Sequence, residues 1–280
     1  MMKVIGLGDN VVDKYEHIQT MYPGGNALNF AVYAKRLGVD AAYLGAFGSD
    51  AEAAHVLDSI EQIGLDISHC KHYEGENGCA RVTLKDGDRV FLGSNRGGVL
   101  RERGLNLTAE DLDYIQSFDL VHAGLYGYTE TELPKLKSRG VPLSFDFSSD
   151  FTEEKVNQIA PLVNYAFFSC SHLNQEEVRE LMVNVTSLGC ELVLCTMGEE
   201  GAVLYDGSNF YTQKPKLVKA IDTMGAGDSF ITCFLINLLQ KTKEGREDNV
   251  NIIRESLEEA AVFSSKQCLV EGSFGFGKVY

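Results

Sequence analysis

The sequence lacks the positive charge of proteins that bind polyanions. Lysine and arginine together number 25 against 40 aspartates and glutamates, and the formal net charge at pH 7 is −15. Nucleic acids and anionic membranes attract basic patches, so this composition argues against both kinds of partner. A small anionic ligand must instead be held by local backbone dipoles and a metal ion, and a cationic substrate is mildly favoured.

The sequence also lacks paired cysteines and long apolar runs. No two cysteines have Cys-x-x-Cys spacing, and their number is odd, at positions 70, 79, 170, 190, 195, 233 and 268. Free thiols in a reducing compartment explain this pattern better than disulfides or a zinc site. Because no apolar stretch reaches membrane-spanning length and no signal-peptide region follows Met2, we expect a cytoplasmic protein.

A dinucleotide-binding fingerprint is missing after the first predicted strand. That position reads Gly6-Leu-Gly8-Asp-Asn-Val11, without the third glycine of Gly-x-Gly-x-x-Gly. An NAD(P)-dependent oxidoreductase is therefore the least favoured enzyme class. Internal repeats and low-complexity linkers are absent as well, so the 280 residues are expected to form one main domain with room for a small accessory one.

What the sequence does contain is an alternation of short apolar strands and amphipathic helices. This order predicts an α/β fold with a mostly parallel sheet, covered by helices on both faces, whose ligands bind beyond the carboxyl ends of the strands. The predicted strands are residues 4–7, 42–45, 120–123, 143–147, 166–169 and 192–196. The predicted helices are residues 26–37, 51–63, 109–116, 130–138, 153–163, 175–185, 226–239 and 252–265.

Residues 11–20 and 71–100 interrupt this alternation. Both are typical of strands joined by turns, and residues 81–91 have the spacing of a hairpin with its turn at 85–88. An ordinary surface hairpin is one interpretation. The other is a separate small β-domain, which divides the chain into a core of residues 1–10, 21–70 and 101–280 and a discontinuous domain of residues 11–20 and 71–100.

The most informative motif is Asp222-Thr-Met-Gly225-Ala226-Gly227-Asp228, just before a long apolar helix. Glycines at a helix start leave backbone N–H groups accessible, and such a terminus binds phosphate. An aspartate there repels phosphate, but it is suited to take a proton from a hydroxyl that attacks one. A plain helix cap is the alternative, because Asp is also favoured at that position.

A second motif, at the opposite end of the chain, favours the catalytic interpretation. It runs from Pro23-Gly-Gly-Asn-Ala-Leu-Asn29 through Arg36-Leu-Gly38 to Gly45-Ala-Phe-Gly-Ser-Asp50. Together with residues 222–230, it resembles the two signature regions of the ribokinase-like (PfkB) carbohydrate kinases, and the resemblance covers nearly the whole chain. Within that family, residues 8–15 are most similar to the bacterial fructoselysine 6-kinases.

This resemblance implies a ribokinase-like three-layer fold in which residues 11–20 and 71–100 form a β lid over a sugar. It implies transfer of the γ-phosphoryl group of ATP, with Mg²⁺, to a primary hydroxyl of a sugar derivative, with fructoselysine as the leading substrate. A kinase for a simple ketose, ribose or a nucleoside is one alternative. A regulator that binds sugar or nucleotide without catalysis is the other alternative. The resemblance also allows a homodimer that forms through the lid.

The resemblance also assigns roles at the two motifs. Asp228 is expected to orient and deprotonate the substrate hydroxyl. The backbone N–H groups of three neighbours are expected to bind the migrating phosphoryl group: Gly225, Ala226 and Gly227.

On the sugar side, Asp13, Gly25 and Asn29 match sugar-contacting positions of the family. Two further residues are assigned to substrate binding, and each of them has an alternative role. Asp9 either contacts the sugar or orders the turn after the first strand. Arg96 either meets a substrate carboxylate or is an exposed charge on the lid.

Nucleotide and metal positions follow from the same resemblance. Thr196, Gly198 and Gly201 match the nucleotide loop of the family. Glu177 has the spacing of an element that holds Mg²⁺ through water, with a plain acidic helix start as the alternative. Asp222 is assigned to a monovalent cation, which makes potassium (K⁺) an optional cofactor.

Overall fold

The strands of the protein form two sheets in the computed structural model, which describes residues 2–85 and 88–280. In chain order the strands are β1 (Lys3–Gly8), β2 (Val11–Tyr15), β3 (Thr20–Gly24), β4 (Asp40–Phe47), β5 (Lys71–His72), β6 (Gly78–Lys85), β7 (Asp88–Ser94), β8 (Leu120–Gly124), β9 (Leu143–Asp146), β10 (Tyr165–Ser169), β11 (Leu192–Thr196), β12 (Ala202–Tyr205), β13 (Phe210–Gln213) and β14 (Lys278–Val279). Each of the six predicted strands overlaps an observed one.

The helices alternate with the strands of the larger sheet. They are α1 (Asn26–Arg36), α2 (Ala51–Ile63), α3 (Val99–Arg103), α4 (Ala109–Ile115), α5 (Leu133–Ser138), α6 (Glu153–Ile159), α7 (Gln175–Ser187), α8 (Ala226–Lys243) and α9 (Asn249–Gln267). The predicted helix 153–163 ends early because Pro161 cannot continue the hydrogen bonding of an α-helix, and residues 160–162 form a 3₁₀ turn. Within the described residues, no helix is long and apolar enough to cross a membrane.

The larger sheet has the order β13-β12-β11-β10-β9-β8-β1-β4-β5. Its strands from β11 to β5 pair in parallel, while β12 and β13 are antiparallel. One apolar cluster packs α1, α2, α8 and α9 on one face, and a second packs α3 to α7 on the other. The predicted three-layer α/β fold is thereby confirmed.

The smaller sheet has the order β14-β3-β2-β6-β7, and its composition differs from the predicted β-domain. β2 and β3 form an antiparallel hairpin, so residues 21–24, predicted to belong to the core, lie in the smaller sheet. Residues 278–279 join it through β14, whereas residues 71–72 pair with β4 in the larger sheet. Residues 86–87 of the predicted hairpin turn lie outside the described residues, and the division into two domains stays a prediction.

Candidate active site

The start of α8 and the start of α1 face each other at the carboxyl edge of the larger sheet. Gly225 precedes α8 in the left-handed conformation, with φ of 72°, and a Cβ there would lie 2.3 Å from the Tyr33 hydroxyl. Glycine is therefore required both by the backbone and by the close approach of α1. A Cβ on Gly227, by contrast, would have open space around it, so the first turn of α8 is accessible to a ligand.

Asp228 lies in this first turn and is held by two side-chain amides from α1. Asn26 donates from Nδ2 to one carboxylate oxygen at 2.9 Å, and Asn29 donates from Nδ2 to the other at 2.5 Å. Burial in the surrounding protein raises the pKa of Asp228 from 3.8 to about 6, although the two amides oppose the rise. A half-buried carboxylate with a pKa just below neutrality is suited to act as a general base.

Two further carboxylates lie beside Asp228. Asp146, at the end of β9, accepts from Nδ2 of Asn26 at 2.8 Å, and its pKa is raised to about 7 by burial and by the negative charge of Asp228. Asp9, after β1, accepts from the backbone N–H groups of Asn26 and Ala27 at 2.8 and 3.1 Å. Asp9 therefore holds the N-terminus of α1, and burial raises its pKa; whether it also contacts the sugar stays a prediction.

The predicted sugar-contacting positions lie on the same side of the site. Asp13 is buried on β2, and a Cβ on Gly24 would lie 3.0 Å from its carboxylate. A Cβ on Gly25, whose φ is 112°, would lie 2.8 Å from the Cα of Asn10, so only glycine fits this turn. Asn29 is buried, and its Oδ1 has no hydrogen-bond partner among the described residues.

A cavity of about 410 Å³ lies on the other side of the first turn of α8. Its walls include all three predicted nucleotide-loop positions, Thr196, Gly198 and Gly201, as well as Ala226 and Gly227. The cavity thus joins the predicted nucleotide loop to the predicted phosphoryl-binding turn.

Two predicted residues lie apart from this arrangement or are otherwise engaged. Arg96 is exposed at the turn after β7, with φ of 56°. Glu177 is exposed and forms a capping box with Asn174 at the start of α7, as its alternative interpretation predicts. Among the described residues, no group of three or more His, Cys, Asp or Glu side chains could hold a metal ion.

Asp222 is surrounded by hydrogen-bond donors. The backbone N–H of Met224 donates to Oδ1 at 2.9 Å. The hydroxyl of Tyr15, on β2, and the backbone N–H of Gly272 donate to Oδ2 at 2.6 and 3.0 Å. Asp222 therefore connects the smaller sheet to the loop that precedes α8.

Sequence reasoning missed Asn26 and Asp146 as site residues. Asn26 stands inside the N-terminal motif, between Gly25 and Asn29, so the signal was present but was not assigned a role. Asp146 is the last residue of an apolar strand, a position where an aspartate is equally common at an ordinary turn. Only its approach to Asn26, across the edge of the sheet, distinguishes it.

An accessible helix start, a neighbouring carboxylate with raised pKa and an adjoining cavity lie together at the carboxyl edge of the larger sheet of this three-layer α/β fold. The sequence profile of the pfkB family carbohydrate kinases matches residues 1–267, and the chain belongs to this family. The predicted family and the predicted ATP-dependent carbohydrate kinase activity are thereby confirmed.

Two relatives are similar over most of their length. Fructosamine kinase FrlD from Bacillus subtilis (strain 168) is 41% identical over 280 residues, which cover 100% of this chain and 95% of the relative. Fructoselysine 6-kinase from Escherichia coli (strain K12) is 35% identical over 235 residues, which cover 84% of this chain and 88% of the relative. The chain is thus a kinase of a sugar derivative.

Solved structures share the fold at low sequence identity. A ribokinase from Giardia lamblia superposes with a TM-score of 0.82 at 18% identity, covering 97% of this chain and 94% of that one. A fructokinase with bound ATP from Xylella fastidiosa gives a TM-score of 0.78, also at 18% identity, with coverages of 97% and 94%. The ribokinase-like fold is therefore confirmed independently of close relatives.

Proposed function

We propose that this kinase transfers the γ-phosphoryl group of ATP to the primary 6-hydroxyl of a fructosamine, with fructoselysine as the leading substrate. The observation that carries the proposal is the position of Asp228. It lies between the cavity at the nucleotide loop and the buried polar groups of the sugar side. The names of the two relatives support the choice of a fructosamine.

Asp228 acts as the base in this proposal. In the ionised form it accepts a hydrogen bond from the substrate hydroxyl, orients it, and takes its proton as the oxygen attacks the phosphorus. The two amides that hold the carboxylate leave it oriented before substrate arrives, so little reorganisation is needed.

Asn29 links this base to the sugar. Its amide nitrogen donates to Asp228 and to Ser273 Oγ, at 2.5 and 3.2 Å, while its buried Oδ1 lacks a partner in the part of the chain that the structure describes. A buried acceptor without a hydrogen bond is unfavourable, and a vicinal hydroxyl of the substrate can satisfy it. Asp13 and the turn at Gly25 complete the proposed sugar subsite.

The phosphoryl group is bound by the first turn of α8. The first N–H groups of a helix have no partner within the helix, and the positive end of the helix dipole faces the developing charge. Gly225, Ala226 and Gly227 are the proposed donors, and Gly227 also lines the cavity from which ATP approaches. The N–H of Ala226 donates to the carbonyl of Thr223 at 3.2 Å and must leave it to bind the phosphoryl group.

Metal ions enter this proposal in different ways. Mg²⁺ arrives with ATP as part of the substrate, and the role of Glu177 near it stays a prediction. The assignment of Asp222 to a monovalent cation also stays a prediction, and the donor set argues against it. Three hydrogen-bond donors already compensate that carboxylate, among them the hydroxyl of Tyr15.

The acidity of the sugar side favours a substrate with an amine. The charge of Asp9 raises the pKa of both Asp146 and Asp228, and the charge of Asp228 raises that of Asp146, so a cationic group nearby would relieve this repulsion. Fructosamines carry a secondary amine that is protonated at neutral pH, whereas fructose, ribose and adenosine do not. Arg96, on the exposed turn after β7, is the proposed contact for the amino-acid carboxylate.

The test is kcat/KM for fructoselysine against fructose, ribose and adenosine under one set of conditions, with ADP release as the signal. We expect fructoselysine to have the highest value, and phosphorus NMR of the product to place the phosphate on O6. A higher value for one of the other three would exclude the fructosamine and leave the kinase intact. Binding of sugar without ADP release from any of them would instead support a non-catalytic regulator.

A homodimer through the lid is the proposed assembly. β7 is an edge strand of the smaller sheet, and the side chains of Val90, Phe91 and Leu92 on it are exposed, Phe91 by 63%. An exposed apolar edge strand promotes association between copies. Sedimentation velocity of the wild-type protein should give the mass of a dimer, and a monomer at micromolar concentration would contradict the proposal.

A further inference from the structure

A continuous chain of buried polar side chains leads from the middle of the larger sheet to Asp228. Oγ of Ser144, on β9, lies 2.9 Å from Nδ1 of His122, on β8. Nε2 of His122 lies 3.1 Å from Oδ1 of Asn26. Nδ2 of Asn26 then donates to Asp146 at 2.8 Å and to Asp228 at 2.9 Å.

The direction of these hydrogen bonds follows from the chemistry of the amide. The nitrogen of Asn26 has two hydrogens and each of them meets a carboxylate, so its oxygen faces His122. Nε2 of His122 must therefore carry the proton. Burial lowers the pKa of His122 to about 3, so at neutral pH the ring holds one proton and Nδ1 is an acceptor. The Ser144 hydroxyl then donates to Nδ1, which is closer than the carbonyl of Val121 at 3.3 Å.

The imidazole itself has little freedom to rotate. Its ring stacks on Phe30, with centroids 4.5 Å apart and planes inclined by 21°, and Phe167 meets it edge-on at 6.3 Å. A rotation of the Asn26 amide by 180° would direct its oxygen at two carboxylates and its nitrogen at a protonated Nε2. Both contacts would be repulsive, so His122 permits one orientation of Asn26.

The groups around Asp228 explain why this orientation matters. The titratable side chains that face Asp228 are Asp9 from the loop after β1, Asp146 from β9 and Tyr33 from α1, with His122 from β8 behind Asn26. None of these four is a cation at neutral pH. The negative charge of Asp228 is therefore stabilised by side-chain amides, and Asn26 serves Asp228 and Asp146 at once.

We propose that Asn26 and His122 are positioning residues for the reaction: His122 fixes the amide of Asn26, and that amide holds Asp228 ionised and oriented toward the substrate hydroxyl. The proposal rests on the proposed role of Asp228 as the base. Neither residue contacts the reacting atoms, and their effect is exerted through Asp228.

The test replaces His122 in two ways. His122→Phe keeps a ring against Phe30 but removes both nitrogens, so Oδ1 of Asn26 loses its donor and the amide is held by the two carboxylates alone. We expect kcat to fall about tenfold or more, and the acid limb of the kcat profile to move up by about one pH unit, with KM for ATP unchanged. His122→Gln restores a donor toward Asn26 and is expected to recover most of kcat and the wild-type limb.

The matched control is the same substitution at another buried histidine. His55, on α2, is 6% exposed and is not among the groups that face Asp228. His55→Phe should leave the acid limb in place even if it changes stability. The proposal would be overturned if the acid limb of the kcat profile of His122→Phe lay at the same pH as in the wild-type enzyme. It would also be overturned if the limb of His55→Phe moved by as much as that of His122→Phe.

A second measurement needs no variant and no activity. Nitrogen-15 NMR of the wild-type protein should show His122 protonated at Nε2 and not titrating between pH 5 and 9. An Nδ1-protonated or titrating ring would overturn the proposal.

All activity assays use whichever sugar gives the highest kcat/KM, so an error in the substrate does not affect them. If Asp228→Asn keeps most of its kcat, the base assignment itself fails; if only the His122 results fail, the positioning role alone is wrong.

Discussion

The sugar side and the nucleotide side of the active site differ in how far they are buried and in the groups that line them. On the sugar side, carboxylates from three separate segments, two of them buried and Asp228 half-buried, are held by amides of α1. On the nucleotide side, an open cavity is lined by glycine turns and by residues 215–218 and 220, in which Leu217 is 75% exposed. A group whose charge must be tuned lies inside the protein, whereas a ligand that enters and leaves at every turnover meets an accessible surface.

This contrast separates the expected effects of substitutions. A change on the sugar side should alter the protonation of Asp228 and therefore kcat and its pH dependence. A change on the nucleotide side should alter the affinity for ATP and leave the pH dependence in place.

The largest effect is expected for Asp228→Asn. The amide keeps the shape of the side chain but cannot accept the proton, so kcat should fall by about 10²- to 10⁴-fold while ATP still binds. Single-turnover kinetics and ATP titration measure the two quantities. A variant that retains most of its kcat would reduce Asp228 to a helix cap.

The same variant carries its own control for folding. The pKa of Asp228 is raised in the folded protein, so its contribution to stability is greatest at low pH and is lost as the pH rises through about 6. Removing this charge should therefore raise Tm more at pH 8 than at pH 5. A lowered Tm at pH 8 would mean that the loss of activity reflects damage to the fold.

The second-largest effect is expected for the change of the wild-type kcat with pH. Asp228 must be ionised to act as the base, and its pKa is about 6. We expect kcat to be close to maximal above pH 7 and to be about tenfold lower at pH 5 than at this plateau, because one unit below the pKa only about one-tenth of the base is ionised. A profile that is flat down to pH 5 would contradict this assignment.

On the nucleotide side, Gly201→Ala is expected to raise KM for ATP by about tenfold. Gly201 has φ of 98°, and a Cβ would lie 2.1 Å from the carbonyl oxygen of Gln213, so the loop must shift. The matched control is Gly207→Ala, which has φ of 86° but lies in the turn between β12 and β13, away from the cavity. The contrast between the two sides fails if Gly201→Ala moves the acid limb, or if Gly207→Ala raises KM equally.

The fold and the two motifs were predictable because their signals are local. Strands such as residues 192–196 are short apolar runs, and the helix after Gly225 has a broad apolar face that its own sequence reveals. The smaller sheet was predicted less well, since β14 contains only Lys278 and Val279 and has no strand pattern of its own. Its pairing with β3 depends on the whole chain having folded.

The candidate site was predictable where one segment supplies both the residue and its environment. Asp228 and its glycines form such a segment. Asn26 and His122 do not, because the role of each depends on what a distant strand places opposite it. Glu177 illustrates the converse difficulty: Asn-x-x-Glu spacing at a helix start also satisfies a capping box, and the structure has that box.

The smallest effect is expected for Tyr15→Phe, which tests the boundary between the two sides. The Tyr15 hydroxyl donates to Asp222 at 2.6 Å and so ties β2 of the smaller sheet to the loop before α8. In the wild-type protein, where three donors compensate Asp222, replacing K⁺ by tetramethylammonium at constant ionic strength should change kcat less than about twofold. Without the hydroxyl, the negative charge of Asp222 is less well compensated, so K⁺ should raise kcat of the variant several-fold and hydrogen exchange in residues 11–15 should increase.

Tyr22→Phe is the matched control, because it removes a hydroxyl that donates to Glu271 at 2.9 Å and not to Asp222. Strong stimulation of the wild-type enzyme by K⁺ would show that Asp222 binds a cation despite its hydrogen bonds, as the family resemblance first implied.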